Sequence, residues 1–136
     1  MLPPYDSIVA DLEACLDRDD WYSELIALGA KLPPMDAALK TEATKVPGCS
    51  ASVWVYPTRL DDGRLHFLAD SNAAITKGIV ALVLSAVQDR SATEIVATDI
   101  SSELEPFDLS RQLSSNRTQG IPNMIVLVQD TAKRLV

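Results

Sequence analysis

The segment 73–88 reads Ala-Ala-Ile-Thr-Lys-Gly-Ile-Val-Ala-Leu-Val-Leu-Ser-Ala-Val-Gln. Ile75, Ile79, Leu82, Val83 and Ala86 recur at helical spacing, yet Val80, Leu84 and Val87 are apolar too. A helix apolar nearly all round is a core helix, because it has no face to give to water. The chain therefore folds around this segment. Its longest apolar stretch, 79–87, is interrupted by Ser85 and is too short to cross a bilayer.

The other segments carry weaker periods. Residues 7–16 read as a short amphipathic helix, with Ile8, Leu12, Cys15 and Leu16 on one face and Ser7 or Asp6 as cap. A second helix begins after Asp19-Asp20, repeats Trp21, Leu25, Leu28 and Leu32, and stops at Pro33-Pro34. Residues 35–44 read as irregular. Two strands, 53–58 and 64–69, flank the turn signal Asp61-Asp62-Gly63 and form a hairpin. Residues 53–56 are apolar on both faces, so that strand is expected to be covered on both sides, at least in part. Asp70-Ser71-Asn72 supplies caps for the central helix.

Beyond it, 91–97 is a short helix with a capping box from Ser91 to Glu94. Residues 107–113 read as another. Ile121, Met124, Ile125, Val128 and Leu135 mark a C-terminal helix with Pro122 in its first turn. There are no repeats and no linker. The order of helices, hairpin, helices is an α+β layout: a small antiparallel sheet, with room for an edge strand, packed against helices. At 136 residues the chain reads as a single domain, 1–136.

Charge narrows the function. The net charge of −7 argues against nucleic acid as the main partner, since a phosphate backbone wants a basic footprint. A local basic patch is still compatible with that total. The N-terminal residues lack the pattern of a signal peptide, and two cysteines make no disulfide framework. The expectation is a cytoplasmic protein in a reducing compartment, with no membrane partner. Two cysteines and one histidine, with no Cys-x-x-Cys, are poor material for a metal site.

Chemistry concentrates at Pro47-Gly48-Cys49-Ser50-Ala51-Ser52. Gly48 admits unusual backbone conformations and Pro47 stiffens the approach, so Cys49 sits on a tight loop where a thiol can be offered to a partner. Cys49 is a nucleophile or sulfur acceptor, or else a small buried hydrophobe, and its loop context alone leaves both open. Cys15, in register with Ile8 and Leu12, reads as core packing. A cysteine hydrolase would need His66 as base beside Cys49, and nothing in the sequence brings them together with a third group. Arg117, in the polar run 114–120, is a solvated arginine or a guanidinium for a partner's carboxylate.

These residues resemble the SufE family. The likeness runs over roughly 5–135: the Trp21 helix with Leu28-Gly29 and Leu32-Pro33, then Val46-x-Gly48-Cys49-x-Ala51-Ser52-Val53-Trp54. It continues in Ala69-Asp70-Ser71-x-Ala73-Ala74-Ile75-x-Lys77-Gly78 and in Leu113-Ser114-x-x-Arg117-x-x-Gly120, with Met124 beyond. The resemblance implies a SufE/NifU-like fold. It implies a sulfur acceptor that takes persulfide sulfur onto Cys49 from a SufS-type or CsdA-type cysteine desulfurase. The acceptor stimulates that enzyme and passes the sulfur toward an iron–sulfur scaffold. Pyridoxal phosphate belongs to the partner, and the chain itself holds no cofactor. Gly48, Ser50, Asp70 and Asn72 are expected to support the loop, and Arg117 and Lys77 to meet the partner. The scaffold role within this fold needs several cysteine ligands, and the chain has one loop cysteine. Many relatives carry Ala-Asp-Ser-Asp where this chain has Asn72 in the fourth place. A resting thiol is expected to tuck into an apolar pocket made by Val53, Trp54 and Ile75.

Overall fold

The structure, a computed structural model, describes residues 2–136. Helix α1 spans Tyr5–Glu13 and α2 spans Arg18–Ala30, followed by a 3-10 turn at Ala37–Leu39. Strands β1 (Val53–Arg59) and β2 (Leu65–Ser71) form the hairpin, and α3 (Ala74–Ser85) follows directly. The rest is helical: α4 (Ala92–Ala97), α5 (Ile100–Leu104), α6 (Leu109–Gln112), α7 (Ser115–Thr118) and α8 (Ile121–Leu135), with a 3-10 turn at Glu105–Phe107. The α+β layout expected from the sequence is what forms.

Helix α3 is the centre. Every residue from Gly78 to Leu84 is buried. Helices α2 and α8 and both strands pack against it. The crossing with α2 is close enough to be made by glycines. A Cβ on Gly29 would lie 2.7 Å from the Gly78 nitrogen, and one on Gly78 would lie 2.5 Å from the Leu25 carbonyl oxygen. Two side chains there would force the helices apart and open the core.

The hairpin is antiparallel, with Val53 opposite Ser71 and Arg59 opposite Leu65. Val53, Val55, Leu65, Phe67 and Ala69 turn one face into the core. The other face is only half covered. Trp54 lies under the Lys40 ammonium, 5.6 Å from the ring centre, and Tyr56 is exposed. Cover on both sides of β1 is therefore partial. The edge strand is reduced to one bridge on each side, Lys45 with Trp54 and Leu65 with Arg90.

Several boundaries differ from the sequence reading, each for a local reason. Helix α1 starts at Tyr5 without a side-chain cap and ends at Glu13, so Leu16 lies beyond it and is 92% exposed. Asp17, not Asp19-Asp20, starts α2, its carboxylate accepting from the Asp20 amide. Strand β2 runs on to Ser71 because Asp70 and Ser71 find partners in Trp54 and Val53. The capping box of α4 is formed in both directions. Helices α5 and α7 lie where the sequence showed no period, and neither exceeds five residues.

Candidate functional site

Cys49 sits between the two ends of the fold that matter. Its loop leaves the bridge at Lys45 and enters β1 at Val53, so its far end is fixed by the sheet. Gly48 has φ of +81°, a conformation that a residue with a Cβ adopts only under strain. The tight turn inferred from Pro47-Gly48 is therefore present.

Two asparagines hold the loop. Asn123, on the first turn of α8, donates from its side-chain nitrogen to the Pro47 carbonyl at 2.7 Å. That same amide lies where a Cβ on Gly48 would be. Gly48 is thus needed twice, for its φ and for this contact. On the other side, the Ser52 amide donates to the Asn72 side-chain carbonyl oxygen at 3.1 Å, and the Asn72 backbone amide donates back to the Ser52 carbonyl at 3.3 Å. The sequence suggests Asn72 as a helix cap. In the structure α3 has no side-chain cap at all, and Asn72 ties the cysteine loop to the end of β2.

The thiol rests on Gly120. A Cβ at that position would run into the Cys49 sulfur and would lie 3.1 Å from both the Cα and Cβ of Cys49. Gly120 has φ of −86°, which any residue can adopt, so space alone requires glycine here. Of the lining expected from Val53, Trp54 and Ile75, Ile75 and Cys49 both pack against the core that includes Val53. Val53 belongs to the inner face of the sheet and Trp54 to the outer face under Lys40. The surface beneath the sulfur comes from the start of α8. The motif spacing Leu-Ser-x-x-Arg-x-x-Gly is the only sequence signal for it. Cys49 is half-buried, and burial pushes its thiol pKa up from the ordinary value. At rest it is held as a thiol.

Asp70 organises the charges nearby. Lys40 reaches its carboxylate at 2.6 Å and Lys77 at 3.4 Å, while the Ser71 amide donates at 2.8 Å. Burial opposes ionisation of Asp70, but Lys40, the Ser71 amide and Lys77 outweigh it and hold the carboxyl below its usual range. Lys77 is thus engaged within the protein. Arg117 makes no ion pair or side-chain hydrogen bond among the described residues. It lines a cavity of about 380 Å³ together with Ser50, Ala51, Ala73 and Thr76, beside the cysteine loop. Arg117 and Ser50 are therefore brought to one place by the fold.

The other candidates lie elsewhere. His66 bonds Asp89 through Nδ1 at 2.7 Å. It sits five residues along β2 from Ser71, roughly 16 Å at the strand rise, away from the cysteine end of the hairpin. A Cys49–His66 pair does not form. Cys15 lies just past α1, partly buried and packed against the core. Its thiol contacts the Asp11 carbonyl at 3.4 Å and lines a separate cavity with Trp21 and Arg111. Burial, then Glu24, Asp20, Asp11 and Asp17, raise its pKa. It is a poor nucleophile on charge grounds. Among the described residues no three His, Cys, Asp or Glu side chains group as a metal site, and no helix is long and apolar enough to cross a membrane.

The fold and site together define a small α+β protein that presents one loop thiol on a tethered turn. Residues 6–132 match the SufE family, described as the Fe-S metabolism associated domain, and the chain belongs to that family. It is 36% identical over 103 residues to the sulfur acceptor protein CsdE of Escherichia coli (strain K12), covering 76% of this chain and 70% of that protein. The solution structure of a hypothetical protein from Thermus thermophilus superimposes with a TM-score of 0.75 at 16% identity. It covers 99% of this chain and 98% of that one, a likeness of fold.

Proposed function

We propose that this protein is a sulfur acceptor of iron–sulfur metabolism, loaded by a pyridoxal-phosphate-dependent cysteine desulfurase of SufS or CsdA type. The single observation that carries the reading is the Cys49 thiol, held on a Gly48 turn over Gly120 in a chain of this family. The Cys49 thiolate attacks the terminal sulfur of the enzyme's persulfide. A sulfur–sulfur bond forms to Cys49, the bond within the enzyme's persulfide breaks, and the enzyme's cysteine leaves as thiolate. No external oxidant or reductant is consumed. Cys49 is thereby a carrier rather than the site of a completed reaction, and the sulfur moves on to an iron–sulfur scaffold in the cytoplasm.

The resting geometry explains why a partner is needed. A half-buried thiol with a raised pKa is a weak nucleophile in isolation, and it is also sheltered from oxidants. Docking must lift the loop off Gly120, which exposes the sulfur and removes the burial that keeps it protonated. Lifting the loop works against the Asn123–Pro47 and Asn72–Ser52 hydrogen bonds. The test is sulfide release by a purified cysteine desulfurase with and without this protein. Wild type should raise the rate and Cys49→Ser should not. Equal stimulation by both would defeat the proposal.

A further inference from the structure

The Cys49 loop is anchored unevenly. Its base is closed by main-chain bonds: the Val46 amide donates to the Val53 carbonyl at 2.8 Å, and the Val55 amide to the Thr44 carbonyl at 2.9 Å. Ser52 stays beside that base, tied to Asn72 by two hydrogen bonds. Residues 47–51 lie beyond it and, among the described residues, make no backbone–backbone hydrogen bond. Pro47, Gly48 and Ser50 are exposed. A segment with so few backbone bonds and so much exposure opens locally at low cost. What holds it down is the start of α8. Gly120 gives the Cys49 sulfur its seat, and Asn123, three residues further on the same helix face, reaches over to Pro47. The Asn123 side chain makes two contacts there: its nitrogen donates to the Pro47 carbonyl at 2.7 Å and rests against Gly48. Breaking the Asn72 bonds frees a residue that the strand beside it still holds. Breaking the one Asn123 bond frees the limb that carries Cys49.

We propose that Asn123 is the latch of the Cys49 loop, a positioning residue that keeps the thiol on Gly120 until it lets go of Pro47. The loop then turns about its base at Val46 and Val53, while α8 stays where it is. The latch fixes the ratio of resting to open loop, and the open form is the one that reacts. A partner that binds only the open form binds more weakly in proportion to the open fraction. Removing the latch therefore makes the isolated thiol more reactive and docking easier, by the same factor. One neutral hydrogen bond sets that factor at roughly 2–12-fold. The effect on docking rests on the sulfur-acceptor reading; the effect on the isolated thiol does not.

The two are separated by measuring the thiol first without any desulfurase. Asn123→Ala removes the latch, and Asn123→Leu removes the donor at nearly constant size. Asn72→Ala is the comparison at the base of the loop. Iodoacetamide alkylation is followed by mass, with adducts mapped so that Cys15 serves as the standard within each sample. Both Asn123 variants should alkylate Cys49 roughly 2–12-fold faster than wild type, with Cys15 unchanged. Asn72→Ala should speed Cys49 less. Wild-type rates in both Asn123 variants, or a larger effect from Asn72→Ala, would overturn the latch. A rise shared equally by Cys15 would mean general destabilisation and overturn it too. The second arm adds a purified cysteine desulfurase with cysteine. The acceptor concentration giving half-maximal stimulation should fall in Asn123→Ala by the factor seen in alkylation, with the rate at saturation changed less. An unchanged concentration beside faster alkylation would overturn the claim that docking opens the latch. Equal stimulation by Cys49→Ser would defeat the acceptor reading and leave the alkylation result standing.

Discussion

Replacing Gly120 with alanine tests whether the thiol rests where the structure puts it. The new Cβ collides with the Cys49 sulfur and lies 3.1 Å from the Cys49 Cα and Cβ. Overpacking of this kind costs about 1–3 kcal/mol. Alanine suits the backbone, at φ of −86°, and stiffening the unfolded chain returns about 0.4–1 kcal/mol. That gain acts only on global unfolding, where the net cost is about 0–2.6 kcal/mol. A loop lifted from Gly120 escapes the clash, so the full cost of about 1–3 kcal/mol weighs on the resting loop and the opening equilibrium should move toward the released state by roughly 5–150-fold. The assay is the alkylation rate of Cys49 against pH, with adducts mapped by mass to separate Cys49 from Cys15. Gly120→Ala should alkylate faster at pH 7 to 8, and its profile should shift to lower pH as burial is lost. The melting cost should shrink in a Cys49→Ala background, because the worst contact is with sulfur. An unchanged rate and profile would refute the resting position of the thiol.

Other consequences follow from named contacts. Cys15→Ala should change stability by no more than about 0.5 kcal/mol and leave desulfurase stimulation intact, since Cys15 lies past α1 and half in solvent; denaturant melts and stimulation assays on one sample check both. Asn72→Ala should loosen the cysteine loop by about 1 kcal/mol, seen as faster hydrogen exchange at Ser52. Asn72→Asp keeps the acceptor and should keep that protection, while its added charge shifts the Cys49 alkylation profile to higher pH; a profile that overlays wild type would place the charge too far away. Asp70 has a depressed pKa, so its ionic stabilisation is present above the unfolded value near pH ~3.9 and lost as pH falls through the lower folded value. The stability gap between wild type and Asp70→Asn should therefore be full at pH 5 and close below pH ~3.9, by denaturant midpoints.

The core of the fold was legible because α3 is apolar all round and two strand-like runs flank an Asp-Asp-Gly turn. Its neighbours followed from their single apolar faces. What escaped was short or non-local. Helix α5 has five residues and α7 four, less than the span over which a 3.6-residue period can show itself. The Cys49 turn was readable from Pro-Gly-Cys, but the surface beneath the sulfur was not. Gly120 lies far along the chain, and nothing local says that α8 begins under the loop. Asn123 reaches Pro47 across a similar gap. Asn72 misled because Asp-Ser-Asn before a helix is good cap chemistry, yet the Ser52 amide competes for the same oxygen and wins. Cys15 does pack against the core, as its register with Ile8 and Leu12 suggests, but from just past Glu13, where the helix stops.

The claim at the centre is that Cys49 carries the sulfur. The direct measurement is the mass of this protein after incubation with a cysteine desulfurase, pyridoxal phosphate and cysteine, followed by peptide mapping without reductant. The expected result is one added sulfur, about 32 Da, on the peptide containing Cys49, absent from Cys49→Ser and removed by reductant. Added sulfur on Cys15, or no added sulfur on wild type while the desulfurase itself turns over, would contradict the account.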